Sequence, residues 1–308
     1  NSGEIGDVTN TATITEVINN AGAEINKFEN TSTGSVTQEF QNQGSVRELN
    51  NEGTFADGIT NKSGGTITTL DNKAGGTINK GITNEGNATI STLNNASRID
   101  KIDNQQDGTI TDLNNLANGT ITLFDNSGEV TNDFTNNGEI ITLNNNATGS
   151  MNNLTNATNA SIGTLTNEGT LNGGITNETN AQIDDIINKA TLDTITNRGS
   201  INNKITNESN ASITTIDNQA GGSIQEVENQ ADASITTFDN AGIVQNDFTN
   251  NGEITNLNNL NGGTLNNLTN SGTGHIGTLT NEGNLTGKIT NEAKDPNTQN
   301  GGTIDNII

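Results

Sequence analysis

The sequence contains no cysteine, tryptophan or tyrosine, and only one proline, one methionine and one histidine in 308 residues. Without cysteine there is neither a disulfide framework nor a thiolate metal site. That absence is compatible with export but fixes no compartment. Without Trp or Tyr there is no material for an exposed aromatic platform that stacks against sugars. Positive charge is scarce: 12 Lys plus Arg against 36 Asp plus Glu leave a formal net charge of −24. The cations never form a basic run, which argues against nucleic acid as a partner and against docking on an anionic membrane face. No apolar run approaches the roughly eighteen residues of a membrane helix, so no membrane insertion of this segment is expected. Asn1-Ser2-Gly3 is no signal peptide.

Apolar residues make up 28% of the chain, where a globular domain is nearer half. Low hydrophobicity with high net charge is the composition of disorder. Placement overrides composition here. Most of the aliphatic residues fall in one phrase, plainest at Ile67-Thr68-Thr69-Leu70-Asp71-Asn72: an apolar residue, a second three or four places on, then asparagine two places later. Twenty-eight copies run from Ile5, Val8 and Asn10 to Leu285, Ile289 and Asn291. The gap between the apolar positions is three in most units and four in a minority, such as Val36 to Phe40, Ile78 to Ile82 and Val130 to Phe134. From each asparagine to the first apolar position of the next copy the distance is four (Asn51 to Phe55, Asn126 to Val130) or six (Asn72 to Ile78, Asn104 to Ile110), never five.

Even-numbered linkers carry physical meaning. Side chains of an extended chain alternate faces, so a one-residue slip turns the apolar set outward while a two-residue insertion preserves it. Short linkers commonly read Asn-x-Gly, as in Asn51-Glu52-Gly53, and long ones commonly place Gly before the strand, as in Gly75-Gly76-Thr77-Ile78. Gly, Asn and Asp suit tight turns, and the flanking Thr suits outward strand positions. A sustained 3.6-residue period is absent, so the helical reading fails. Self-similarity at about ten residues in β-forming residues predicts an all-β parallel β-helix, or β-solenoid. Two repeats, about 20–22 residues, suffice for one coil; three, about 31–33, is the alternative. A longer repeat overlies the short one: Asp133 to Ile140 recurs as Asp247 to Ile254, and Gly163 to Gly169 as Gly277 to Gly283. The whole of 1–308 reads as a single continuous β-solenoid, a fragment of a longer repeat protein with the remainder at both ends. One interruption, from Asn291 to Ile304, holds Pro296 and predicts a protruding loop over 292–303.

Runs such as Leu165-Thr166-Asn167-Glu168-Gly169-Thr170-Leu171 and Phe124-Asp125-Asn126-Ser127-Gly128-Glu129-Val130 fit an L-x-N-x-G-x-I phrase. That phrase resembles the repeats of bacterial filamentous-haemagglutinin-type exoproteins and β-helical autotransporter passengers. The resemblance covers nearly the whole chain through a motif of low complexity. It implies a right-handed parallel β-helix, an extracellular or cell-surface location, and adhesion to a glycan or protein of a host or neighbouring cell. It carries no functional residue across.

Candidate chemistry is thin, and no catalytic, cofactor-binding or metal residue is assigned. The asparagine column (Asn72 and its equivalents) is the most regular polar feature, and stacked coils would turn it into an amide ladder. Phe28, Phe40, Phe55, Phe124, Phe134, Phe238 and Phe248 all occupy core slots. His275 precedes Ile276 and should face outward; its counterpart 114 residues earlier is Ser161. Asp184-Asp185 is a local acid pair, and Glu139 recurs as Glu253. Glycoside hydrolysis needs two carboxylates held in a cleft with divergent environments, whereas these acids fall on outward positions. The Gly-Gly-x-Gly-x-Asp nonapeptide of calcium β-rolls is absent. Thr-x-Thr units (Thr66-Ile67-Thr68, Thr109-Ile110-Thr111, Thr120-Ile121-Thr122) raise ice binding, but irregular linkers are expected to break a flat Thr face. Sequons such as Asn87-Ala88-Thr89 and Asn153-Leu154-Thr155 are expected by chance in so Asn- and Thr-rich a chain. The sequence thus predicts a non-enzymatic stalk or passenger in adhesion, without cofactors. A β-helical polysaccharide-active enzyme is the first alternative and a Thr-faced ice binder the second.

Overall fold

A computed structural model of the chain describes residues 1–293 and 301–308. Pro296 and the middle of the loop expected over 292–303 lie outside the described residues. All regular structure among the described residues is β-strand. The chain forms two compact units, Asn1–Leu154 and Thr155–Ile308, and each is a parallel β-solenoid.

In the unit 1–154, every turn places one repeat in each of two sheets, as one strand or as two short segments. The first sheet stacks Glu4–Asn10, Glu24–Asn30, Ser45–Asn51, Thr66–Asn72, Thr89–Asn95 and Thr109–Asn115, all parallel. Register follows the repeat: Ile5 pairs with Ile25, Ile25 with Val46, Val46 with Ile67 and Ile67 with Ile90. Between those partners lie two repeats, so the two-repeat coil holds and the three-repeat alternative fails. The second sheet interleaves the remaining repeats, among them Arg98–Asn104, Thr120–Asn126 and Glu139–Asn145. The unit 155–308 repeats the plan. Its first sheet stacks Thr170–Asn177, Thr191–Asn197, Ser212–Asn218, Ser234–Asn240, Glu253–Asn259 and His275–Asn281. Its second stacks Ser161–Asn167, Gln182–Asn188, Ser200–Asn207, Ser223–Asn229, Ile243–Asn250 and Thr264–Asn270.

Burial shows how a three-residue gap keeps both apolar residues inside. In Thr66–Asn72, Ile67, Leu70 and Asn72 are buried, while Thr66, Thr68, Thr69 and Asp71 face outward. Strict alternation would turn either Ile67 or Leu70 to solvent. Two successive outward residues, Thr68 and Thr69, correct the phase, and the pairing ladder passes through Thr66, Ile67 and Thr69 but skips Thr68. A four-residue gap is absorbed differently. Thr77–Ile78 and Ile82–Asn84 are separate segments, with Lys80 and Gly81 at φ 57° and 92° between them. In Thr170–Asn177 the strand continues, but its register shifts between Leu171 and Ile175, where Gly174 has φ 92°.

The core lies between the sheets and is built from the two apolar positions. All seven phenylalanines are fully buried there. Phe28 and Phe40 meet edge to face at 5.2 Å, Phe124 and Phe134 at 5.7 Å, and Phe238 and Phe248 at 4.7 Å. Each such pair brings about 0.5–1.5 kcal/mol beyond area burial.

Linker length is spent at the corners. Long linkers close a tight turn: the Gly76 N–H donates to the Lys73 carbonyl at 2.9 Å and Gly108 to Gln105 at 2.8 Å. In many of these turns the third residue takes positive φ, as Gly75 does at 88°, Asp107 at 65° and Asn118 at 67°, a conformation that suits Gly, Asn and Asp. The last linker residue packs against the corner asparagine and is small. Ala88, Ala160, Ala181, Ala211 and Ala233 fill that place, all buried.

Candidate functional site

The corner asparagines are the most regular polar feature of the fold, and the structure makes them two internal ladders in each unit. On the first sheet of 1–154, each Nδ2 donates to the Oδ1 one turn on: Asn10 to Asn30 at 2.9 Å, Asn51 to Asn72 at 2.8 Å, Asn115 to Asn136 at 2.7 Å. The second sheet does the same through Asn19, Asn42, Asn61, Asn84, Asn104, Asn126 and Asn145. In 155–308 the ladders run from Asn156 to Asn281 and from Asn167 to Asn291. The second Nδ2 proton reaches the backbone at the start of a later strand, as from Asn72 to the Arg98 carbonyl at 3.1 Å. Among the described residues every buried side-chain nitrogen and oxygen has a partner. Aligned amides polarise one another within a low-dielectric core. Their role is structural. The sequence phrase missed one member: Asn1 donates from Nδ2 to Asn19 Oδ1 at 3.1 Å, with no apolar pair before it to reveal the register.

The remaining sequence candidates are dispersed. His275 is partly exposed at the start of its strand, and its Nε2 lies 3.0 Å from Asp305 Oδ2. Asp184 and Asp185 both face outward and each accepts an amide, from Asn202 at 2.9 Å and Asn203 at 3.0 Å. Nearby, the Lys204 ammonium is 2.9 Å from Glu228 and 3.9 Å from Glu226. The Glu228 hydrogen bond, against the opposing effect of burial, holds the Lys204 pKa above its ordinary value. Glu139 and Glu253 both stand exposed at the first position of their strands. Asn87 sits in a turn at φ 63°, and Asn153 donates to Asp133 at 2.9 Å. No group of three or more His, Cys, Asp or Glu among the described residues is placed to hold a metal ion. Among the described residues no helix is long and apolar enough to cross a membrane.

Surface depressions follow from linker arithmetic. The short linker after Asn126 lies between the long ones after Asn104 and Asn145, and the missing turn leaves a notch. Its volume is about 490 Å³, lined by Asp107, Thr109, Ser127, Glu129, Thr148 and Ser150 among others. The short linker after Asn250, between those after Asn229 and Asn270, leaves a notch of about 250 Å³ with Asp232, Ser234, Glu253, Thr273 and His275. Both are open and polar.

The outward columns differ between sheets. On the first sheet of 155–308, Thr191 pairs with Ser212 and Ser212 with Ser234, and Thr194 pairs with Thr215 and Thr215 with Thr237. Beside the latter column stand Thr214, Thr236 and Thr255, all exposed. The first sheet of 1–154 carries a smaller set, Thr66, Thr89 and Thr109, with Thr69 paired to Thr92. The second sheets carry most of the ion pairs: Arg98 with Asp100, Lys101 with Asp103 and Asp125, and Lys204 with Glu226 and Glu228. Irregular linkers do not offset the two threonine columns of 155–308, which run for three turns before Asn256 ends one and Asp193 the other. Four- and six-residue linkers differ only in how far they loop out at the corner, so the strands they join keep register. Comparing alternate repeats in the sequence, rather than successive ones, is the signal that exposes these columns. No family model matches the chain, and neither a curated protein nor a solved structure does.

Proposed function

We propose that the chain is a structural and adhesive β-solenoid, a stiff stalk or passenger segment of a secreted or surface-displayed bacterial protein. One observation carries this reading: the inward columns follow one rule throughout each unit, while the outward columns vary, hydroxyl-rich over some turns and charged over others. Buried amide ladders and stacked aliphatic columns supply stiffness, and the outward columns supply a surface free to diverge toward a ligand. The partner on this reading is a glycan or protein of a host or neighbouring cell.

The test is an adhesion assay with the full chain coupled to beads, presented to glycan arrays, matrix proteins and cells. Saturable capture by at least one glycan or protein is the expected result. Release of new reducing ends from a polysaccharide by the chain alone would replace this reading with the enzymatic one.

A further inference from the structure

We propose that the hydroxyl columns on the first sheet of the unit 155–308 form an ice-binding face. The columns are Thr194, Thr215 and Thr237, and beside them Thr214, Thr236 and Thr255. Neighbouring parallel strands lie about 4.8 Å apart, so backbone stacking sets that repeat along each column. A tetrahedral water hydrogen-bonded to two oxygens at about 2.8 Å each holds them about 4.6 Å apart. Ice is built on that second-neighbour spacing, so a water bridging two successive hydroxyls already sits close to a lattice position.

Three further features favour ordered water over other occupants. Each threonine offers one donor and two acceptors, with a methyl group beside them that restricts the orientations of first-layer water. The hydroxyls are held in place, because Thr is stiff at χ1 and the strands beneath are locked by the Asn197–Asn218–Asn240 ladder at 2.7–2.8 Å. Within the two columns there is no charge to pull water out of that arrangement. Asp193 and Glu253 mark the patch edges, and Asp217 and Asp239 stand in the next column toward the corner. The second sheet of the same unit, with Lys204 among Asp185, Glu226 and Glu228, has the opposite character.

The experiment cools the full chain around a seed crystal and measures the gap between melting and freezing points. The expected result is a gap that grows with protein concentration, together with faceted crystals and slowed recrystallisation. Thr215→Lys and Thr236→Lys, each checked for retained β circular dichroism, should reduce the gap to that of a control protein of equal mass. Gln225→Lys, on the second sheet, should leave it unchanged. No gap in the wild-type chain, or an undiminished gap in both threonine variants, overturns the proposal. Capture by an insoluble polysaccharide that depends on Thr215 and Thr236, without any gap, overturns it in favour of a glycan face.

Discussion

Asn218 illustrates what one ladder residue holds. Its Oδ1 accepts from Asn197 at 2.8 Å, and its Nδ2 donates to Asn240 at 2.7 Å and to the Ile243 carbonyl at 3.2 Å. Asn218→Ala strands two buried amides, each costing about 1–3 kcal/mol, and removes the donor to a part-buried carbonyl. We expect a loss of about 3 kcal/mol or more, read as a lowered urea midpoint. Asn258 is the control: it is half-buried on the outer surface and donates to Asp239 at 2.8 Å. Asn258→Ala should cost about 1 kcal/mol or less. Equal effects would mean that the inner ladder has no special weight. The two asparagines are indistinguishable by residue type, and only their place in the phrase separates them. Asn1 shows the limit of that rule, because it joins a ladder with no phrase around it.

Strands show a second kind of dependence, on backbone that must pass close to the next turn. Gly174 has φ 92° and its Cβ position is already occupied by the Thr194 carbonyl. Gly262 has nearly the same φ, 90°, but faces open space in a corner turn. Alanine in that left-handed conformation costs about 1–2 kcal/mol on its own account. Gly262→Ala should therefore lower the melting temperature modestly. Gly174→Ala should lower it further, since the adjoining turn has to move. A smaller effect at Gly174 than at Gly262 would show that the bulge has slack. The sequence marks this strand through its four-residue gap, but it does not say which residue bears the bulge. That is decided by the neighbouring turn, whose carbonyl takes the space a side chain would need.

Over the whole molecule the dominant electrostatic fact is the net charge of −24. Stacking worsens it, because parallel register sets like charges beside one another: Glu4 against Glu24, and Asp217 against Asp239. Cations answer only locally, through partly exposed pairs such as Lys189 with Glu168 at 2.9 Å and Arg198 with Glu178 at 3.0 Å. Such pairs bring about 1 kcal/mol or less each. Screening is nearly complete beyond about 10 Å at 0.1 M salt, so salt should relieve repulsion more than it weakens pairing. The melting temperature is expected to rise between low salt and about 0.1 M sodium chloride. A fall would mean that the ion pairs outweigh the repulsion.

The β-solenoid, the two apolar slots, the inward asparagine and the burial of every phenylalanine were written in the sequence. The reason is that each follows from a period, and a period survives without knowledge of distant contacts. Tertiary structure decided that two repeats rather than three close a turn, because closure depends on how two sheets meet across a core. It also decided the fate of the linkers. Their unequal lengths look in one dimension like a broken pattern, but in three dimensions they are spent at the corners. The hydroxyl columns of the first sheets therefore stay aligned, since hydrogen bonding between turns, rather than distance along the chain, sets where each threonine stands.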